Sequence, residues 1–109
     1  MQYTKLGNTD ILVSKLCYGS LTLGPLQKNL PLKDGAAVIE KAVDLGVNFI
    51  DTADLYGTYP YIREVLKTHK DLIVASKSYA YDTETASETL ERALRETGRD
   101  YIDIFLLHE

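Results

Sequence analysis

Four side chains in this sequence can move a proton or steady a charge, and each closes or follows an apolar run. Asp51 ends Val47-Asn48-Phe49-Ile50, and Tyr56 stands five residues further on. Lys77 follows Leu72-Ile73-Val74-Ala75-Ser76, and His108 follows Ile104-Phe105-Leu106-Leu107. A carboxylate, a phenol, an amine and an imidazole are the groups from which general acid-base sites are built. Singly, each has a blander reading: Asp51 as a turn cap, Tyr56 as packing under a loop, Lys77 as a solvated strand end, His108 as a structural imidazole. Their repeated position just past a strand is the layout of an active site.

The elements that must position them alternate. Tyr3-Thr4-Lys5-Leu6 and Ile11-Leu12-Val13 flank the turn cluster Gly7-Asn8-Thr9-Asp10, which reads as a hairpin. A first core strand is expected over Lys15-Leu16-Cys17-Tyr18-Gly19, with a loop from Ser20 to Pro25. Apolar residues Val38, Ile39, Ala42, Val43 and Leu45 make a helical stripe in Leu32 to Leu45, and Gly46 is placed to cap its end. A strand over Val47 to Ile50 follows. Pro60 opens a short helix with the stripe Ile62, Val65, Leu66, and a further strand covers Leu72 to Ala75. Ala86, Leu90, Ala93 and Leu94 give Thr83 to Thr97 a helical face that ends at Gly98, before a strand from Tyr101 to Leu107.

Continuous hydrophobicity in Leu72 to Ala75 and Ile104 to Leu107 points to parallel strands covered by helices. Asp51, Lys77 and His108 are spaced by roughly 30 residues, the length of one strand-helix-strand unit. In parallel sheets the carboxyl ends of strands are where loops present side chains to ligands.

Composition bounds the partners. A chain of 109 residues with 45% hydrophobic and 26% charged content supports one globular core, and no stretch is long or apolar enough to span a membrane. Net charge of -4, with the basic residues spread singly, argues against nucleic acid and membrane surfaces and for a small-molecule partner. The amino terminus lacks a secretory pattern, which makes the cytoplasm the default location. One cysteine, Cys17, is expected to pack in the core, and with only His69 and His108 no metal site is expected. His69, beside Lys67 and Lys70, reads as a surface residue at a helix end, whereas Tyr79 and Tyr81 follow Lys77 and could line a pocket.

With Gly46-Val47-Asn48-Phe49-Ile50-Asp51-Thr52-Ala53, Tyr56-Gly57, Ser76-Lys77 and Asp100-Tyr101-Ile102-Asp103 leading to His108, the chain resembles the aldo-keto reductase family. Lys5-Leu6-Gly7 and Val13-Ser14-Lys15-Leu16 extend the resemblance over the opening. It implies a parallel (β/α)8 TIM barrel, of which residues 1–109 supply a hairpin and the first four strands as the amino-terminal part of one domain. It implies NADPH-dependent reduction of an aldehyde or ketone, with Tyr56 as proton donor, Lys77 and Asp51 tuning it, and His108 bonding the substrate oxygen. Gly19, Ser20, Leu21, Thr22 and Asp51 would approach the cofactor, although no phosphate-binding glycine fingerprint is present.

Two departures stand out. Many family members have a Ser-Glu pair where this chain has Thr58-Tyr59-Pro60-Tyr61. Such a barrel also takes about 250 residues, so four strands leave sheet edges to be covered by the missing half or by self-association. The alternative functional reading is a noncatalytic half-barrel or a cofactor-sensing scaffold module without turnover.

Overall fold

A hairpin followed by strand-helix alternation is the element order in a computed structural model describing residues 1–109. Strands β1 (Tyr3–Lys5) and β2 (Leu12–Ser14) pair antiparallel with Tyr3 opposite Ser14, as the turn cluster predicts. Strands β3 (Tyr18–Gly19), β4 (Phe49–Asp51), β5 (Ile73–Ser78) and β6 (Ile104–Leu107) form a parallel sheet in that order. Helices α1 (Leu32–Asp44), α2 (Tyr59–Leu66) and α3 (Thr83–Thr97) link consecutive strands. Four parallel strands with their connecting helices are consistent with part of a β/α barrel.

Strand alternation sends Ile50 and Val74 to the helix side, where they are fully buried with Ile39, Ile62 and Val65. Burying each such side chain contributes about 1.5–3 kcal/mol. The opposite face carries Phe49, Asp51, Ile73, Ala75 and Lys77. At one edge, β6 leaves Leu106 and Leu107 exposed. The hairpin sits at the start of β4: Asn48 Oδ1 accepts from Ser14 N at 2.7 Å, Asn48 Nδ2 donates to Leu12 O at 2.9 Å, and Tyr3 Oη donates to Gly46 O at 2.6 Å. It therefore occupies the end of β4 opposite Asp51.

Several sequence expectations shift. The first core strand begins at Tyr18, because the Ser14 hydroxyl donates to Leu16 O at 2.6 Å and bends the chain through Lys15 and Leu16. The loop from Ser20 to Pro25 contains a 3₁₀ turn over Leu21–Leu23. Val47 lies in the turn that closes α1, its N–H donating to Ala42 O at 3.0 Å, so β4 runs from Phe49 and includes Asp51. Strand β5 continues through Ser78 because β6 pairs with it as far as Leu107, which places Ser76 and Lys77 within the strand. Strand β6 begins at Ile104, since Asp103 meets β5 with its side chain, accepting from Val74 N at 2.9 Å. Cys17 is exposed, because it precedes the paired part of β3.

The helices also differ in detail. On α1 the buried face is Gly35, Ala36 and Ile39, while Val38 and Leu45 are exposed. The ring of Tyr61 on α2 presses against Gly35 and turns that face inward. A Cβ at residue 35 would overlap this ring, so Gly35→Ala is expected to lower stability by about 1–3 kcal/mol despite the better helix propensity of alanine. Denaturant unfolding checks this, and a stabilised variant would refute the packing argument. On α2, Ile62, Val65 and Leu66 are buried as expected, together with Tyr59 and Tyr61. Helix α3 begins at Asp82, whose carboxylate accepts from Thr85 N at 2.7 Å and is held below the usual carboxylate range by that bond, and ends at Gly98 with φ of 72°. Its buried threonines satisfy themselves within the helix, Thr89 Oγ1 donating to Thr85 O and Thr97 Oγ1 to Ala93 O. No helix is long and apolar enough to cross a membrane.

Candidate active site

Asp51, Lys77 and His108 come from three adjacent strands. Asp51 is the last residue of β4, Lys77 the penultimate residue of β5, and His108 follows β6, its N–H donating to Ser78 O at 2.8 Å. The parallel register explains why one end of the sheet collects all three. Tyr56 joins them from a 3₁₀ turn over Asp54–Tyr56, closed by Gly57 with φ of 68°.

Lys77 is the centre of this group. Its ammonium donates to Asp51 Oδ1 at 2.8 Å, Asp51 Oδ2 at 2.9 Å and Thr52 O at 2.7 Å. Three N–H donors meet three acceptors, which fixes the head of a side chain only 14% exposed. The same ammonium stands 5.2 Å from the centroid of the Tyr56 ring. His108 meets Tyr56 edge to face, with centroids 5.8 Å apart, and Tyr79 stacks on its other side at 4.2 Å and 17°. Its Nδ1 is buried without a hydrogen-bond partner. Tyr81 is 88% exposed and takes no part in this stack.

The loop after β3 borders the group. Ser20 N donates to Asp51 O at 3.0 Å, while the fully buried Ser20 hydroxyl bonds Thr58 Oγ1 at 2.8 Å. Thr58 Oγ1 also bonds Thr52 Oγ1 at 2.8 Å, so one hydroxyl joins the loop, the end of β4 and the start of α2. Gly19 and Thr22 are exposed, and no atom lies within 4 Å of where a Cβ on Gly19 would stand. Cys17 lies close enough to feel the pair: its thiol is pushed up to about 11, first by desolvation and then by the charge of Asp51, with Lys77 acting in the opposite direction.

Sequence reasoning missed a supporting layer on the helix side. Tyr59 Oη bonds Ser76 Oγ at 2.6 Å, both residues being buried, and burial pushes the phenol of Tyr59 up to about 12 although the bond to Ser76 pulls it down. Arg92 on α3 forks onto Asp54, Nε to Oδ1 and Nη2 to Oδ2, each at 2.8 Å. The departure at Thr58-Tyr59 was the available signal for part of this layer, since both residues turn out to bond around the site.

Comparison with known proteins identifies the family and the fold. The model of the aldo/keto reductase family matches residues 15–109. The chain is 29% identical to the uncharacterized oxidoreductase YqkF of Bacillus subtilis, covering 99% of this chain and 39% of that protein. It is 29% identical to the L-galactose dehydrogenase of Arabidopsis thaliana, covering 95% of this chain and 37% of that protein. Among solved structures, the holo form of aldo-keto reductase AKR11C1 from Bacillus halodurans superimposes with a TM-score of 0.83 at 28% identity, over 99% of this chain and 40% of that one. The chain thus spans well under half the length of these relatives. With the family model matching residues 15–109 and the solved relative superimposing over 99% of the chain, this chain belongs to the aldo/keto reductase family.

Proposed function

We propose that residues 1–109 are the amino-terminal part of a single (β/α)8 reductase domain whose further strands pair onto the exposed edges of the sheet. The complete barrel reduces an aldehyde or ketone to an alcohol, and the nicotinamide of NADPH supplies the hydride. The observation that carries this reading is the fully coordinated ammonium of Lys77 beside the ring of Tyr56.

In this reading Tyr56 donates its proton to the carbonyl oxygen. A fixed cation near a phenol lowers the cost of the phenolate left behind, and Asp51 keeps that cation charged and aimed. His108 supports the oxygen as charge develops, its ring standing edge to face with that of Tyr56 at 5.8 Å between centroids. Gly19 pairs with Asp51 and has no atom within 4 Å of where a Cβ would stand, which supports Gly19, Leu21, Thr22 and Asp51 as the residues that meet the nicotinamide end of the cofactor. Ser20 holds this loop to β4 and α2, its N–H donating to Asp51 O and its hydroxyl bonding Thr58.

The test is carbonyl-dependent oxidation of NADPH by the intact native polypeptide, with the alcohol product identified by mass. Turnover of aldehydes or ketones is expected. Tight NADPH binding with no turnover across a broad carbonyl panel would instead establish the cofactor-sensing alternative. Tyr79 has a smaller part: Tyr79→Ala is expected to raise KM for carbonyl substrates by about tenfold through loss of the stack on His108, at roughly 0.5–1.5 kcal/mol of aromatic contact. An unchanged KM would remove Tyr79 from the pocket.

A further inference from the structure

We propose that Arg92, on the outer helix α3, is a positioning residue for the turn that carries Tyr56, acting through Asp54. This rests on Tyr56 being the proton donor.

The turn has little of its own to hold it. It is a single 3₁₀ turn, and Ala53 before it offers no side-chain cap. Asp54 is its first residue, and Tyr56 its last. The carboxylate of Asp54 receives both arms of the Arg92 guanidinium at 2.8 Å, an arrangement that sets its plane as well as its distance. Asp54 is 21% exposed and Arg92 43%, so the carboxylate end of the pair is the shielded one and the fork geometry rather than charge alone fixes it. Both hydrogen bonds of the Arg92 side chain go to Asp54.

The far end of the turn is fastened differently. Gly57 adopts φ of 68°, and a Cβ there would stand 2.9 Å from Pro25 Cγ, so the loop after β3 closes against it. Immediately beyond, Tyr59 bonds Ser76, the neighbour of Lys77, at 2.6 Å. Phenol and ammonium are therefore indexed to each other through the helix layer, and Arg92 supplies the fastening at the start of the turn. A displacement on the order of 1 Å in a reacting group can cost about 10²-fold in rate.

The experiment uses the complete enzyme carrying Arg92→Ala, Arg92→Lys, Asp54→Asn or the Arg92→Ala/Asp54→Asn pair, with Tyr56→Phe as control. Expected is a fall in kcat of about 10- to 100-fold for Arg92→Ala, with NADPH affinity and substrate KM held. The deuterium isotope effect on kcat with labelled NADPH should rise as the chemical step becomes limiting. Arg92→Lys should recover only part of the rate, because a point charge cannot reproduce the fork, and the double variant should be no slower than the worse single. Retention of kcat within about twofold in Arg92→Ala, while Tyr56→Phe is inactive, would overturn the role of Arg92 alone. A kcat loss that merely follows the folded fraction, with Asp54→Asn behaving independently, would overturn it too. Normal turnover by Tyr56→Phe would overturn the acid assignment and this inference together.

Discussion

Tyr56→Phe in the complete enzyme is expected to lower kcat for carbonyl reduction by about 10²–10⁴-fold, the usual contribution of a positioned general acid. NADPH affinity should be unchanged, because the substitution removes one oxygen and leaves the ring in place. The geometry makes the expectation specific. Lys77 is held by Asp51 and Thr52 and stands beside the Tyr56 ring, so phenylalanine would keep the packing against the ammonium and against His108 while losing the proton. Fluorescence titration of NADPH and steady-state kinetics separate the two effects. A variant with both kcat and cofactor affinity intact would assign proton donation to another group.

Arg99→Ala is expected to produce the largest loss of stability. Arg99 lies between α3 and β6, with a side chain 7% exposed against 12% for its partner Asp103. It donates to Asp103 Oδ2 at 3.0 Å, Lys70 O at 2.7 Å and Leu72 O at 2.6 Å. Asp103 in turn accepts from Val74 N at 2.9 Å, so one pair ties β6 to the start of β5. Removing the guanidinium leaves the shielded carboxylate of Asp103 with the Val74 N–H but no counter-charge, and takes a donor from the carbonyls of Lys70 and Leu72, a loss of about 3–5 kcal/mol. In a protein of this class that corresponds to roughly 10 °C in Tm. Scanning calorimetry of the complete enzyme measures it, and a shift below about 2 °C would show that water replaces the guanidinium without loss. The site lies at the other end of the sheet, so activity of the folded fraction should persist. Loss of stability and loss of chemistry thus separate by location: Arg99 acts at the start of the strands, Tyr56 past their ends.

Much of this architecture was legible because its causes are local. Helix α3 runs over the predicted residues, bounded by Asp82 accepting a backbone N–H and by Gly98 in a conformation that favours glycine. Pro60 marks the first turn of α2 for the same kind of reason. Apolar runs located β5 and β6 and indicated parallel pairing, since strands covered by helices read as continuous rather than alternating. Strand limits were less legible. Lys77 lies inside β5 because β6 extends the ladder past it, and a partner strand cannot be seen in the residues of β5 alone. Likewise Cys17 reads as a core residue from Leu16 and Tyr18, yet its exposure follows from the bend imposed by Ser14.

By itself the sequence determined the order of elements, the apolar runs that Asp51, Lys77 and His108 follow, and the family resemblance, all of which depend on residue type and spacing along one chain. Only the tertiary structure decided which acceptors fill the ammonium of Lys77, that Tyr79 rather than Tyr81 stacks on His108, and that Arg92 reaches Asp54. The physical reason is range. Capping, turn and burial preferences act within a few residues, whereas a hydrogen bond between residues 38 positions apart exists only once two helices and two strands have packed and brought their side chains within 2.8 Å.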